Sequence, residues 1–215
     1  MPNGTQVQIT IDAKMGTSNS PITYARYALL ETIVPNSNTT TTTKGIQVLN
    51  LVLFAKSCVW GVDLVSLPNG KHLLAIDTQP MSLNRTSDMK EKYEEWYSTY
   101  VDGIFPCGGD LSEATRNFFS SHVLWTRISD SSNRTTTSSI ELIQTKLMVA
   151  FQTHLDLYLS DIQQLNNIVE NNHLEEYLEY RLQNDPARPM LQSLYGKEWT
   201  EEVLETILFP KNKIL

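Results

Sequence analysis

The chain is poor in the residues that bind metals and nucleotides. Only two of its 215 residues are cysteine, Cys58 and Cys107, far apart and in no Cys-x-x-Cys pair. Neither a zinc site nor a disulfide framework is indicated. No Gly-rich phosphate loop opens a helix, so nucleotide and flavin binding lack support. His72, His122, His154 and His173 are scattered, and His154 and Asp156, two apart on a helix, cannot face one ion. Each histidine reads as a surface or packing residue. No nucleophile elbow is present. No apolar run approaches the roughly 18 residues that span a bilayer. Lysine and arginine number 17 against 24 acids, a net charge of −7, which argues against non-specific nucleic-acid binding.

Localisation signals are equally thin. Met1–Thr5 has neither a basic flank nor an apolar segment, so no secretory signal is read there, and no Arg-rich transit peptide is visible. Asn-x-Ser/Thr triplets at Asn3, Asn38, Asn84 and Asn133 arise by chance in a chain this rich in Thr and Ser. A reducing compartment is expected.

What is present describes an ordinary globular chain, 40% hydrophobic and 19% charged, long enough for one domain with a sizeable core. Low-complexity runs at Asn36–Thr43 and Ser129–Ser139 read as exposed loops. They separate an N-terminal piece, a strand-rich region to about Ile128, and a helical last third. There, Ile143, Leu147, Phe151, Leu155, Leu159, Ile162 and Leu165 recur three or four apart and predict a helix over 140–169. A second helix is expected over 174–182, broken at Asn184-Asp185-Pro186. Thr200 reads as the N-cap of a third, with Glu201 and Glu202 in its first turn. Tyr93, Trp96, Tyr97 and Tyr100 form a stripe that reads as core or interface rather than a ligand platform.

Polar residues stand where the chain should be driest. The run Ile46–Phe54 is apolar at nearly every position, as in a strand covered on both faces. Val59–Leu67 follows, and Pro68-Asn69-Gly70 turns the chain into His72–Asp77, a strong hairpin signal. Asn50, Asp63 and Asp77 are therefore expected in one antiparallel sheet. Asp77 reads as a strand-ending residue bonded to the Thr78-Gln79-Pro80 turn. Asn50 reads equally as a satisfied core amide or a site residue. Asp63 has apolar neighbours on both sides mid-strand, and burying an unpartnered carboxylate costs several kcal/mol. That pattern fits a proton-transferring role. Strands followed by helices suggest a helix-covered sheet.

These strings resemble one family. Val48-Leu49-Asn50, Gly61–Pro68, His72–Pro80, Phe118-Phe119-Ser120, Leu124-Trp125-Thr126-Arg127, Asp185–Arg188 and Tyr195–Thr200 through Ile207-Leu208-Phe209 are similar, in order, to the ferredoxin-dependent bilin reductases. Val48-Leu49-Asn50, Leu67-Pro68, Leu124–Arg127 and Leu155–Leu159 point to the phycoerythrobilin-forming branch. The resemblance implies an α/β fold, a three-layer α/β/α sandwich with a central antiparallel sheet, as a single domain over 1–215. It implies a tetrapyrrole held between that sheet and the C-terminal helices. Against the family pattern the N-terminus is several dozen residues short, and the stretch from Phe54 to Trp60 is compressed.

The implied activity is reduction of the A-ring diene of 15,16-dihydrobiliverdin to phycoerythrobilin. The family has no intrinsic cofactor: reduced ferredoxin supplies single electrons, the bilin carries the radical, and protein groups deliver protons. By resemblance Asp63 is the central proton donor, Asp185 a second Asp near the A-ring, and Asn50 stands where the phycocyanobilin-forming branch has His. Asp185 reads alternatively as a helix-ending residue before Pro186. Arg127 is expected to pair with a propionate. Glu31 stands where that other branch uses a Glu for the D-ring vinyl group. The implied partners are ferredoxin, a linear tetrapyrrole and a preceding bilin reductase that hands over its product, with no nucleic acid and no membrane, the chain acting as a monomer. Ferredoxin is acidic, so a local basic face is needed on this acidic chain. The implied location is the plastid stroma, or the cytoplasm in cyanobacteria. The competing readings are a phytochromobilin-type or biliverdin-reducing sister activity, a bilin carrier without turnover, and an α/β protein whose buried polar groups serve packing alone.

Overall fold

The computed structural model describes residues 6–35, 42–56, 58–80, 87–111, 113–116, 119–129, 138–165, 172–185 and 187–214. Six strands pair in sequence order as one antiparallel sheet. They are β1 (Gln6–Met15), β2 (Ile22–Pro35), β3 (Thr42–Ala55), β4 (Cys58–Ser66), β5 (Lys71–Pro80) and β6 (Leu124–Ser129). Between β5 and β6 lie helices α1 (Ser87–Tyr100) and α2 (Glu113–Arg116). After β6 come α3 (Ser139–Leu142), α4 (Met148–Leu165), α5 (Asn172–Asn184), α6 (Arg188–Tyr195), α7 (Lys197–Val203) and α8 (Lys211–Ile214).

The period-2 rule sorts the strand residues onto two faces. Leu51 and Leu53 of β3, Trp60 and Val62 of β4, Leu74 and Ile76 of β5, and Leu124 and Ile128 of β6 share the face covered by α1 and α4. The aromatic stripe of α1 belongs to this core. Tyr93 and Trp96 are buried, and the Trp96 indole N–H donates to the Ala150 carbonyl at 3.1 Å, fastening α1 to α4. Each fully buried side chain of this size contributes about 2–3 kcal/mol of burial. His154, fully buried, accepts a hydrogen bond on Nδ1 from the Trp60 indole at 2.9 Å and lies beside the Trp96 ring. It is a packing residue.

The opposite face carries Tyr24, Val52, Phe54 and Val59 against Leu174, Tyr177, Leu178, Val203 and Leu204 of the C-terminal helices. Helices thus cover both faces, the α/β/α sandwich expected. β3 is apolar at both parities because both its faces are covered.

The β4–β5 hairpin forms where Pro68-Asn69-Gly70 placed it. Gly70 N–H donates to the Leu67 carbonyl at 3.2 Å, and Leu67 N–H to that of Lys71 at 2.8 Å. Gly70 alone takes positive φ, 71°; Asn69 does not, because one left-handed residue suffices to close this loop.

Several boundaries differ from expectation. The helix expected over 140–169 is α3, a π-helical turn over Ile143–Leu147, and α4; residues 166–169 lie outside those described. The Ser138 hydroxyl caps α3 by accepting from Glu141 N–H at 3.1 Å. Thr200 is no N-cap. It is buried inside α7 and donates its hydroxyl hydrogen to the Gly196 carbonyl at 2.8 Å. Gly196, at φ 87°, ends α6 and starts α7, so the helix opens a turn early. Asp77 does not end its strand: β5 continues to Pro80. Its carboxylate accepts from the backbone N–H and hydroxyl of Ser120. Pro186, Phe118 and most of the two low-complexity runs lie outside the described residues.

Candidate active site

The sheet face under the C-terminal helices holds a cavity of about 610 Å³, within the range of small-molecule sites. Its floor is built from alternate residues of β2 to β5, among them Leu30, Val48, Val65 and Leu73. Its roof comes from α5 and α6, with Tyr180, Arg181, Asp185 and Met190, and Trp125 of β6 closes one side. Most of this lining is aliphatic or aromatic. The polar groups converge from two directions: Arg26, Asn50 and Asp63 from the floor, Arg181 and Asp185 from the roof.

On the floor, strand register fixes a chain of hydrogen bonds. Val52 pairs with Arg26, and Asn50 with both Ala28 and Asp63, so these side chains stand side by side on one face. Arg26 donates from Nε to the Leu208 carbonyl at 3.0 Å and from Nη1 to Asn50 Oδ1. Asn50 donates from Nδ2 to Asp63 Oδ1. Among the described residues the other Asp63 oxygen has no hydrogen-bond partner. Arg26 is only 5% exposed, and its guanidinium lies over the Phe209 ring. Burial, followed by repulsion from Arg181, brings its pKa down to about 10, while Tyr177, Asp63 and Asp185 pull the other way. The guanidinium therefore stays charged at neutral pH.

On the roof, Asp185 accepts from Arg181 Nη2 at 2.8 Å on one oxygen and from Ala187 N–H at 2.9 Å on the other. It thereby shapes the α5–α6 turn, as a helix-ending residue does, and it also lines the cavity. Burial disfavours the Arg181 charge, but Tyr177, Asp185 and Asp63 outweigh it and hold the group above its ordinary value. Burial pushes the Tyr177 phenol up, keeping it neutral.

The structure brings Asn50, Asp63 and Asp185 to one cavity. Arg127 is not among the lining residues: it is exposed, pairs with Leu73, and holds its guanidinium over the indole of Trp125, 5.4 Å from the ring centroid, both neighbours being part of the lining. Glu31 does not line the cavity. It sits one residue out of phase with Arg26, Ala28 and Leu30, on the other face of the sheet, where it accepts from Gln47 Nε2 at 2.8 Å. Strand parity excludes it from the site.

The family model for ferredoxin-dependent bilin reductase matches residues 36–210. The chain belongs to the ferredoxin-dependent bilin reductase family. It is 33% identical over 182 residues to phycoerythrobilin:ferredoxin oxidoreductase of Nostoc punctiforme, covering 76% of this chain and 66% of that protein. It is 37% identical over 158 residues to the protein of that name from Prochlorococcus marinus, covering 70% and 60%. The chain thus spans two thirds or less of the length of these curated relatives. In fold it is similar to tomato phytochromobilin synthase, solved in complex with biliverdin, with a TM-score of 0.67 and 20% identity over 97% of this chain and 70% of that one.

Reasoning from sequence passed over the two arginines that set the charge of this bilin reductase cavity. Arg26 carries a signal: it interrupts the apolar parity Tyr24, Ala28, Leu30 on a strand. Arg181 sits four residues before Asp185, the helical spacing of an ion pair.

Proposed function

We propose that this chain catalyses ferredoxin-dependent reduction of a linear tetrapyrrole, and specifically that of the A-ring diene of 15,16-dihydrobiliverdin to phycoerythrobilin. One observation carries the reading: Asp63, with one oxygen held by Asn50 and the other without a hydrogen-bond partner among the described residues, stands in a largely apolar cavity between sheet and helices. An apolar wall suits the pyrrole rings, and a carboxyl group inside it is placed to donate a proton. Two electrons arrive one at a time from reduced ferredoxin, the bilin π-system holds the unpaired electron between them, and two protons complete the addition across the diene. Asp63 supplies the first proton. Asp185 faces the same space from the roof and serves the second transfer. Arg127, beside the lining, offers a guanidinium fork to a propionate. The partners in this reading are ferredoxin, the bilin and a reductase that makes the dihydro substrate. The location is the plastid stroma, or the cytoplasm of a cyanobacterium.

The test is anaerobic turnover of 15,16-dihydrobiliverdin with ferredoxin, its reductase and NADPH, the product identified by absorption and chromatography. Phycoerythrobilin is the expected product. In Asp63→Asn, bilin binding is retained and turnover falls by about 10²-fold or more. A different reduced bilin overturns the finer assignment, and bound but unchanged pigment overturns the enzyme reading.

A further inference from the structure

We propose that Arg26 is a positioning residue that decides which oxygen of Asp63 carries the transferable proton. The inference rests on the reading of Asp63 as a proton donor. A guanidinium can only donate hydrogen bonds, whereas a carboxamide donates from one end and accepts at the other. Arg26 Nη1 donates to Asn50 Oδ1. The Asn50 amide is thereby oriented with its NH₂ toward Asp63, and Nδ2 donates to Asp63 Oδ1. The flipped amide would set NH₂ against guanidinium and carbonyl against carboxylate, so this direction is forced. Oδ1 is then an acceptor and cannot present a proton to Asn50. The proton of the neutral acid sits on Oδ2, the oxygen without a hydrogen-bond partner among the described residues.

The direction of the chain is anchored outside the sheet. Arg26 also donates from Nε to the Leu208 carbonyl at 3.0 Å, and its guanidinium lies over the Phe209 ring. The end of the chain thus fixes the rotamer of Arg26, Arg26 fixes the amide of Asn50, and the amide fixes the proton. The charged and titratable groups coupled to this end are Tyr24 and Arg26 on β2, Asp63 on β4, Tyr177 and Arg181 on α5, and Asp185 in the turn after α5.

Three variants separate this role from simple packing. Arg26→Lys remains a donor only. Arg26→Gln can also accept, and Arg26→Met offers no donor, so in both the guanidinium no longer fixes the amide, whose Nδ2 keeps only a long contact to the Val62 carbonyl at 3.4 Å beside Asp63. With bilin, ferredoxin and reductant, kcat is expected to fall by about 10²-fold in Arg26→Met and Arg26→Gln, with bilin affinity changed by about threefold or less, and to recover largely in Arg26→Lys. The pH profile of Arg26→Lys keeps the wild-type form; those of the other two do not. A second measurement needs no turnover. In bilin-free protein at acid pH, the carboxyl C=O stretch of Asp63, identified by its loss in Asp63→Asn, should lie low because Oδ1 accepts from Asn50. It should rise in Arg26→Met and stay in Arg26→Lys. Equal kcat in Arg26→Lys and Arg26→Met, both intact or both lost, overturns the proposal, as does an unmoved carboxyl band. Wild-type protein that reduces no bilin overturns the function while leaving the infrared result to decide the role of Arg26.

Discussion

Asp77, in the interior of β5, clamps Ser120 from the loop ahead of β6: the Ser120 backbone N–H donates to Oδ2 at 2.8 Å and its hydroxyl donates to Oδ1. The Ser120 hydroxyl oxygen in turn accepts from His122 N–H at 3.1 Å. One buried carboxylate therefore organises the connection that leads into the last strand of the sheet.

Removing that carboxylate strands its donors in a buried place. Asp77→Ala is expected to lower stability by about 3 kcal/mol, since a hydrogen bond to a charged group contributes about 1.5–3 kcal/mol. Urea unfolding measures it: the midpoint should fall while the slope stays constant. A midpoint within error of wild type would mean that Ser120 is held by other contacts.

Gly108 gives a second expectation. A Cβ placed there would lie 2.5 Å from Trp125 Nε1 and 2.6 Å from two further ring atoms, far inside contact distance. The loop cannot simply move away. Gly108 N–H donates to the Trp125 carbonyl at 2.9 Å, and the indole N–H donates to the Gly109 carbonyl at 3.1 Å. In Gly108→Ala the indole must shift within the cavity wall. Bilin affinity should weaken by about tenfold, equivalent to about 1.4 kcal/mol, with a stability loss of about 1–3 kcal/mol from overpacking. Absorption titration of the bilin and quenching of tryptophan emission read the two sides of this contact.

The buried phenols set the response to alkali. Burial raises Tyr158, Tyr177 and Tyr24 above the ordinary value of 10.0. Between that value and the raised one the unfolded chain is ionised and the folded chain is not, so stability falls as pH climbs past about 10. Arg26 acts in the opposite sense. Its pKa of about 10 lies below the ordinary 12.5, so between these two values the unfolded chain binds the extra proton and stability rises. Burial raises the Tyr195 phenol as well, so four phenols oppose one guanidinium, and net loss is expected. Tyrosinate absorbance followed together with near-ultraviolet circular dichroism should show a late set of phenols ionising only as tertiary structure is lost. Ionisation of every tyrosine with the dichroism intact would contradict this.

Much of the fold was legible because its signals are local. Asn-Gly between two β-rich runs marks the β4–β5 hairpin, and the apolar runs around Asn50 and Asp63 put both in one antiparallel sheet; that they share a face needs the register. The three- and four-residue spacing of Phe151, Leu155, Leu159 and Ile162 marks α4. Other features depend on distant parts of the chain. The partner of Arg26 is the Leu208 carbonyl, 182 residues away, and no window of sequence contains both. Ser120 as the partner of Asp77 is hidden for the same reason. Glu31 was misplaced for a different cause: motif alignment conveys position along a strand but not parity, and one residue of phase moves a side chain through the sheet. Thr200 misled because a good capping residue four positions beyond a glycine can equally lie inside the helix that the glycine begins.

The unbroken meander of six strands, each bonded to its neighbour in sequence, gives the molecule an order of assembly. The floor of the cavity is complete once β6 has paired, and it asks nothing of later residues for its strand hydrogen bonds. The roof arrives last, from the final quarter of the chain as it leaves the ribosome. Until then Arg26 keeps its water, and a nascent chain holds a solvated guanidinium on an otherwise greasy surface. Such a charge discourages premature stacking of that surface against a second nascent chain. A residue that ends up buried in the cavity floor thus guards the floor while it lies open.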